Sequence, residues 1–171
     1  MNNILKYTLR GFILMLLQIL IFNKIEVGYG VLFLVYPLFI FLLPQNIKIG
    51  YLLLIAFFYG FILDTFSNTY GLHASSLVLF AYLKPVIFNS YKPRDDYDAL
   101  IENNMYTYGK TWYLFTYGIL IFSLHFWYFF LESFRFDLIL WVLLKTILSS
   151  IIALLLGILL QNLLIQNPNE R

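Results

Sequence analysis

Residues 137–164 read DLILWVLLKTILSSIIALLLGILLQNLL, and only Asp137 and Lys145 in this run carry a charge. An apolar helix of about 20 residues is long enough to cross the hydrocarbon core of a bilayer, which is about 30 Å thick. A run of this length and composition is typical of a membrane-spanning helix rather than of a strand or a soluble core helix. The stretch therefore predicts a helix that crosses a membrane.

The rest of the chain has the same character. Hydrophobic residues make up 61% of its 171 residues and charged residues make up 12%, and the mean hydropathy is +0.80. A water-soluble domain of this size needs a polar surface, which this composition cannot provide. We therefore expect a single integral membrane domain over residues 1–171, with the lipid bilayer as its surroundings.

The composition also argues against several kinds of site. The chain has no cysteine, which excludes disulfides and thiolate metal sites. Its two histidines, His73 and His125, are too few for a metal site built from histidines. The net charge is only +2, and the basic residues are not gathered into one patch. We therefore expect no cofactor, no metal and no nucleic-acid partner.

We predict an all-α bundle of six transmembrane helices. The run 11–22 after Lys6 and Arg10 is similar to a signal peptide, but no small-residue cleavage site follows it, so we interpret it as the first helix. The second and third spans are the weakest by length and composition and could instead form one re-entrant hairpin. The six predicted spans are about 5–23, 27–43, 50–64, 72–88, 111–131 and 137–164.

The basic residues predict the orientation of these spans. Only Lys24 and Arg135 fall in outer loops when the N-terminus is placed in the cytoplasm. Cytoplasmic loops carry the excess of Lys and Arg in membrane proteins, so both termini and the polar loop 89–110 are expected inside. The residues that then lie on the inner side are Lys6, Arg10, Lys48, Lys92, Arg94, Lys110 and Arg171.

Two stripes of small residues, each with one charge, recur at every fourth position: Ala56, Gly60 and Asp64 on the third span, and Lys145, Ser149, Ala153 and Gly157 on the sixth. Residues at this spacing share a helix face, and small residues there let two helices approach closely. We hypothesise that the two stripes pack together and bring Asp64 close to Lys145. The alternative is that Lys145 snorkels outward and that Asp64 is solvated.

Lys84 and Pro85 lie near the inner end of the fourth span. We expect the Lys84 ammonium to reach the inner headgroups by snorkelling. Pro85 cannot donate to the carbonyl of Ala81 and should bend the helix. His73 begins the fourth span and is expected to be structural. Asp64 and His73 could form an acid/base pair, but no nucleophile or metal motif accompanies them, so we expect no enzyme.

The stretch 57–85, FFYGFILDTFSNTYGLHASSLVLFAYLKP, resembles the rod shape-determining protein MreD family. The resemblance is carried by Gly60, Asp64, Gly71 and His73-Ala74, followed by the basic-proline pair Lys84-Pro85. The family usually has arginine before that proline, and lysine keeps the charge but loses the bidentate fork. Gln18, Phe22-Asn23, Tyr36-Pro37, Leu43-Pro44, the length and the six-span layout also match.

This resemblance implies a fold and a function. The fold would be the six-helix fold of the substrate-binding membrane subunits of energy-coupling-factor vitamin transporters. The function would be a non-enzymatic inner-membrane scaffold of the bacterial cell-elongation complex. Such a scaffold binds MreC and helps couple MreB filaments to peptidoglycan synthases. Asp64, Gly71 and His73 would then have structural or partner-binding roles at the outer end, and Lys84 and Pro85 at the inner end.

A vitamin-transporter subunit is the alternative. It would need a closed polar pocket on the outer side and small residues on the first helix for docking a coupling protein. The first span offers Gly11 but no small-residue repeat, which counts against this alternative.

Overall fold

The computed structural model describes residues 3–25, 28–91 and 102–165, and these fold into a bundle of α-helices. Short 3-10 turns at Phe22–Lys24, Gly28–Gly30 and Phe136–Leu138 lie next to the helix ends. The seven α-helices of the described residues are α1 (Asn3–Leu20), α2 (Pro37–Leu42), α3 (Ile49–Ser67), α4 (Leu72–Ser90), α5 (Met105–Tyr108), α6 (Lys110–Ser133) and α7 (Ile139–Leu164).

Five of these helices, α1, α3, α4, α6 and α7, belong to stretches that are long and apolar enough to cross a membrane. Their positions confirm the predicted first, third, fourth, fifth and sixth spans as helices, and α3 is several residues longer than its predicted span. Many of their large side chains are exposed on the outside of the bundle, as expected for a surface that faces lipid.

The predicted second span, 27–43, is wrong as a continuous helix. Residues 32–35 have neither helical nor strand structure, and α2 begins only at Pro37. In a continuous helix Pro37 would leave the carbonyl of Phe33 without a donor and would clash with it. The Phe33 carbonyl instead accepts a hydrogen bond from the Gln18 side chain at 3.1 Å.

The stretch 31–43, which we call the buried segment, runs beside α4 from His73 to Lys84. At one end the backbone amide of Leu32 donates to Ser149 Oγ at 3.0 Å, and the Tyr36 hydroxyl meets His73 in the first turn of α4. At the other end the carbonyl of Leu43 accepts from Lys84 near the end of α4. We call these two ends of the bundle the Asp64 end and the Lys84 end.

The helices pack around this buried segment. α4 lies between α3 and α6, and α7 packs on α6. The Phe41 ring, which is fully buried, lies 5.0 Å from the ring of Tyr117 and 5.4 Å from that of Tyr113 on α6, and 5.4 Å from that of Phe88 on α4. Edge-on aromatic pairs of this kind add to the free energy of burial. The buried segment therefore forms the centre of the apolar core.

Replacing Gly60 with alanine should destabilise the bundle. A Cβ at Gly60 would lie 2.5 Å from the Cα and 2.8 Å from the amide nitrogen of Ala74, and backbone atoms on α4 cannot move aside alone. We expect a loss of about 1–3 kcal/mol in the free energy of unfolding, measured by thermal unfolding of the purified protein in detergent.

Gly118→Ala is the matched control, because a Cβ there would meet only Leu154 Cδ1 at an ordinary 3.8 Å. This change should be neutral or stabilising, since alanine has a higher helix propensity than glycine. Equal stability of the two variants would contradict the close approach of α3 and α4.

Candidate functional site

The Asp64 carboxylate caps the first turn of α4. Its Oδ1 accepts from the backbone amide of His73 at 3.0 Å and from Thr69 Oγ1 at 2.5 Å, and its Oδ2 accepts from the amide of Ala74 at 2.9 Å. The side chain is buried. A carboxylate at this position satisfies helix N–H groups that have no partner within the helix, and it complements the helix dipole. Asp64 therefore joins α3 to α4.

Gly71 provides the turn that this cap needs. It precedes α4 with φ of +84°, in the left-handed region that side chains rarely adopt. Asn68, which ends α3, is also left-handed. The tight connection brings the α4 amides back onto the carboxylate, so Asp64 and Gly71 act as one structural unit.

The stripe on α3 faces α4 rather than α7. Ala56 is fully buried, and Gly60 lies directly against the backbone of His73 and Ala74. The hypothesis that this stripe packs on the α7 stripe is therefore wrong. The spacing of small residues is alike on α3 and α7, but it does not reveal that α4, the next helix along the chain, fills the space beside Gly60.

The hypothesised pair of Asp64 with Lys145 is wrong as well. Lys145 Nζ lies 3.6 Å from Glu132 Oε2 and 5.4 Å from the centre of the Phe129 ring. The Asp64 oxygens are instead used by the start of α4 and by Thr69. Helix amides at hydrogen-bonding distance are closer partners for a carboxylate than an ammonium on a distant helix. The alternative of a solvated Asp64 is also wrong.

The stripe on α7 packs against α6 and the buried segment. Ser149 accepts from the Leu32 amide, and Ala153 is buried. A Cβ at Gly157 would lie 3.0 Å from Tyr117 Cε1 and would collide with the Tyr113 hydroxyl. The small residues of this stripe therefore make room for the tyrosines of α6.

His73 is buried rather than at the surface, and its imidazole faces aromatic rings. Its Nδ1 lies 3.1 Å from the Tyr36 hydroxyl, and its ring centre lies 5.2 Å from that of Tyr36 and 5.0 Å from that of Tyr128. The Asp64 carboxylate binds the backbone of His73 and not its ring. The imidazole thus links α4, α6 and the buried segment.

A cavity of about 610 Å³ opens next to His73 at the Asp64 end. Among its walls are the ends of α1 and α3, Gly30, and residues 31–34 of the buried segment. The polar side chains that line it are Gln18, Asn23, Lys24, Ser67, Thr69, His73 and Tyr128. Sequence analysis noted His73 but did not predict a cavity.

Gln18 holds one wall of this cavity in place. Its Nε2 donates to Asn23 Oδ1 at 2.7 Å and to the carbonyl of Phe33, and its Oε1 accepts from the amide of Val35 at 2.9 Å. The side chain is buried in an apolar helix. A polar side chain inside a membrane-spanning helix is costly unless it forms hydrogen bonds. The presence of Gln18 in an apolar run was therefore the sequence feature that could have indicated a polar site here.

Lys84 is fully buried, so the expectation that it snorkels to the headgroups is wrong. Its Nζ donates to the carbonyls of Ile40 at 2.9 Å and Leu43 at 2.5 Å. These groups lie at the C-terminus of α2, where a cation is favourable. Past Lys84, α4 continues through Pro85 to Ser90. Lys84 therefore fixes the end of the buried segment on α4.

Glu102 forms ion pairs at the Lys84 end, which were not predicted from the sequence. Its buried carboxylate accepts from Lys6 Nζ at 2.6 Å and from the Arg10 guanidinium, and Arg10 also donates to the Leu164 carbonyl at 2.7 Å. α1, α7 and the loop before α5 meet there. The charged loop residues 92–98 and Arg171 lie outside the described residues.

The charged side chains Asp64 and Lys84 at these two ends bind backbone groups. In the parts of the chain that are described, no group of three or more His, Asp or Glu side chains could hold a metal ion. The oxygens of Asp64 accept backbone hydrogen bonds, and the nitrogen of Lys84 donates to carbonyls. These charges serve helix ends, and what remains accessible to a ligand at the Asp64 end is the cavity.

Replacing Asp64 should weaken the start of α4. Asp64→Ala leaves the amides of His73 and Ala74 without an acceptor, and we expect a loss of about 1–2 kcal/mol in the free energy of unfolding. Asp64→Asn keeps one acceptor oxygen, so its free energy of unfolding should fall less than that of Asp64→Ala. Thr65→Ala, at an exposed neighbour on the same helix, is the control.

Amide hydrogen exchange at His73 and Ala74 is the specific measurement for this series, combined with thermal unfolding. Exchange should be fastest in Asp64→Ala and unchanged in Thr65→Ala. Unchanged protection of both amides in Asp64→Ala would contradict the capping role.

Glu102→Gln should destabilise the bundle because it leaves the Arg10 guanidinium, which is only 12% exposed, without a counter-charge. The Lys6 side chain is 35% exposed, so water compensates its charge and the loss of Glu102 costs less there. We expect a loss of about 2 kcal/mol, below the value for fully buried pairs. Asp137→Asn, in the exposed pair with Arg135, should cost under about 0.5 kcal/mol. Equal effects of the two changes in thermal unfolding would argue that the contact of Glu102 with Lys6 and Arg10 does not stabilise the bundle.

No family model, no curated protein and no solved structure matches this chain. The likeness to the MreD family therefore rests on the residues quoted above. The geometry of those residues and of the cavity is what bears on function.

Proposed function

We propose that this protein is a non-enzymatic membrane scaffold of the bacterial cell-elongation complex, as its resemblance to the MreD family implies. The observation that supports this most is that the residues carrying the resemblance form the joints of the bundle. Gly60 and Asp64 join α3 to α4, and Lys84 joins α4 to the buried segment. Polar groups held in this way suit a rigid platform for other proteins.

The proposed setting is the bacterial cytoplasmic membrane, with six crossings and both termini inside. The buried segment supplies the second crossing in this proposal, since its contacts run from Ser149 and His73 at one end to Lys84 at the other. Lys6 and Arg10 lie at the Lys84 end, and Lys24 and Arg135 lie in connections at the Asp64 end. The Lys84 end would therefore face the cytoplasm.

The proposed partners follow from the resemblance. MreC would bind in the membrane and on the periplasmic side, and through it the protein would be coupled to MreB filaments and peptidoglycan synthases. The outer surface of the bundle offers large apolar side chains to a partner's transmembrane helix, among them Phe12 and Phe58, which are each more than half exposed.

A second candidate function is favoured by one specific observation. A substrate-binding subunit of an energy-coupling-factor vitamin transporter needs a polar pocket on the outer side. The cavity of about 610 Å³ lies at the Asp64 end, which would be the outer side in the orientation proposed above. The first helix still lacks a small-residue repeat for docking a coupling protein: Gly11 is already covered by the Phe39 ring. The scaffold therefore remains the first proposal.

Affinity purification from a mild detergent distinguishes the two. We expect the tagged protein to recover MreC together with cell-wall synthases, and Gly60→Leu to reduce that recovery while the variant still inserts into the membrane. The matched control is Gly118→Leu, on a helix face with more room. Recovery of two ATPases and a coupling protein, with no MreC, would instead establish the transporter subunit.

A further inference from the structure

A groove of about 560 Å³ lies between α1 and α3 and starts at the Lys84 end of the bundle. It is lined by residues 8–15 of α1 and 51–62 of α3, and both of these helices begin at that end. Phe12 and Phe58, which line it, are 58% and 60% exposed on the outside of the bundle. The groove is therefore open sideways, to the surface that faces lipid.

The floor of the groove is apolar, and its hydrogen-bonding groups already have partners. The Tyr59 hydroxyl donates to the carbonyl of Gly11 at 2.8 Å. The Phe39 ring covers Gly11 and lies 4.8 Å from the Tyr59 ring. An occupant gains no hydrogen bond from this floor, so the chemistry of the groove suits hydrocarbon.

The dimensions of the groove fit an acyl chain better than a helix. From Tyr51 to Ile62 it extends over about 16 Å at 1.5 Å per residue, close to half of a hydrocarbon core of about 30 Å. Its volume divided by this length gives an average cross-section of about 35 Å². A helix with side chains is at least about 10 Å wide and needs about 80 Å². A partner's helix can contact Phe12 and Phe58 from outside but does not fit within the groove.

The mouth of the groove at the Lys84 end is polar and carries a cation. Lys48, Tyr51, Ile55, Phe58 and Ile62 are three or four residues apart and share one face of α3. Lys48 is exposed, and among the described residues no carboxylate lies within ion-pair distance of it. Tyr51, which lines the groove, is 64% exposed, and no acidic residue lines the groove. The mouth therefore suits a negatively charged headgroup.

We propose that this groove is a binding site for one anionic phospholipid of the leaflet at the Lys84 end. One acyl chain lies between α1 and α3 from Tyr51 to Ile62, and the phosphate lies at the mouth beside Lys48 and Tyr51. The cationic mouth and the apolar floor follow one another in the same order as the headgroup and chain of such a lipid. This inference does not depend on the scaffold proposal.

Native mass spectrometry of the purified protein in a neutral detergent tests the site. The probes are dioleoyl phosphatidylglycerol, dioleoyl phosphatidylcholine with the same chains and no net charge, and glycerol 3-phosphate as a headgroup without chains. We expect one tightly retained phosphatidylglycerol per chain, weaker retention of phosphatidylcholine, and little displacement by glycerol 3-phosphate.

Two pairs of variants locate the lipid. Lys48→Gln should lower phosphatidylglycerol retention about fivefold, the effect of one cation near a membrane surface. Lys110→Gln, at an exposed cation on α6, should leave it unchanged, because α4 lies between α3 and α6. Ile55→Trp should fill the groove and reduce retention of both lipids. Leu159→Trp, at an exposed position on α7, is its control.

The proposal is overturned by equal retention of the two lipids, or by a Lys48→Gln variant that retains phosphatidylglycerol as the parent does. It is also overturned if glycerol 3-phosphate displaces the lipid, because the site would then take a soluble anion. An Ile55→Trp variant that loses recovery of MreC but keeps both lipids would assign the groove to a partner's helix instead. Lys48 is exposed, so its variant tests the site even if Ile55→Trp fails to fold.

Discussion

Satisfaction of backbone hydrogen bonds inside an apolar bundle is the constraint on which the rest of this structure depends. Residues 32–35 of the buried segment, before Pro37, are not helical. In lipid each of their backbone groups without a hydrogen-bond partner would cost several kcal/mol. Side chains from the surrounding helices take the place of a helix ladder: Gln18 from α1 binds Phe33 and Val35, and Lys84 from α4 binds the end of α2. The long helices are arranged around these contacts.

Two of the buried charges, Asp64 and Lys84, follow the same logic. Asp64 lies at a helix N-terminus and Lys84 at a helix C-terminus, and each charge has the sign that the local backbone dipole favours. An ion in a membrane protein is usually explained by another ion or by water. Here the compensating groups are amides and carbonyls of irregular or terminal backbone. Asp64 and Lys84 are therefore part of the fold, and this explains why each lies where two elements meet.

Sequence reasoning was successful where hydropathy over a long window decides the structure. The five long helices follow from apolar runs, and their ends were predicted within a few residues. It failed at 27–43, where the run is equally apolar but Pro37 and side-chain acceptors decide between helix and extended backbone. The pairing of Asp64 with Lys145 failed for a related reason. Spacing identifies which residues share a face, as for Ala56 and Gly60, but the neighbour of that face depends on the packing of the whole bundle.

The contact between Arg10, Glu102 and Leu164 has a consequence for the order of assembly. Arg10 lies on α1, yet its partners are synthesised 92 and 154 residues later. During translation its guanidinium must be stabilised by headgroups or water, and it can take its final position only after α7 has been inserted. Insertion of α7 is thus coupled to closure of the bundle, so a nascent protein that stalls before α7 would leave α1 without this contact.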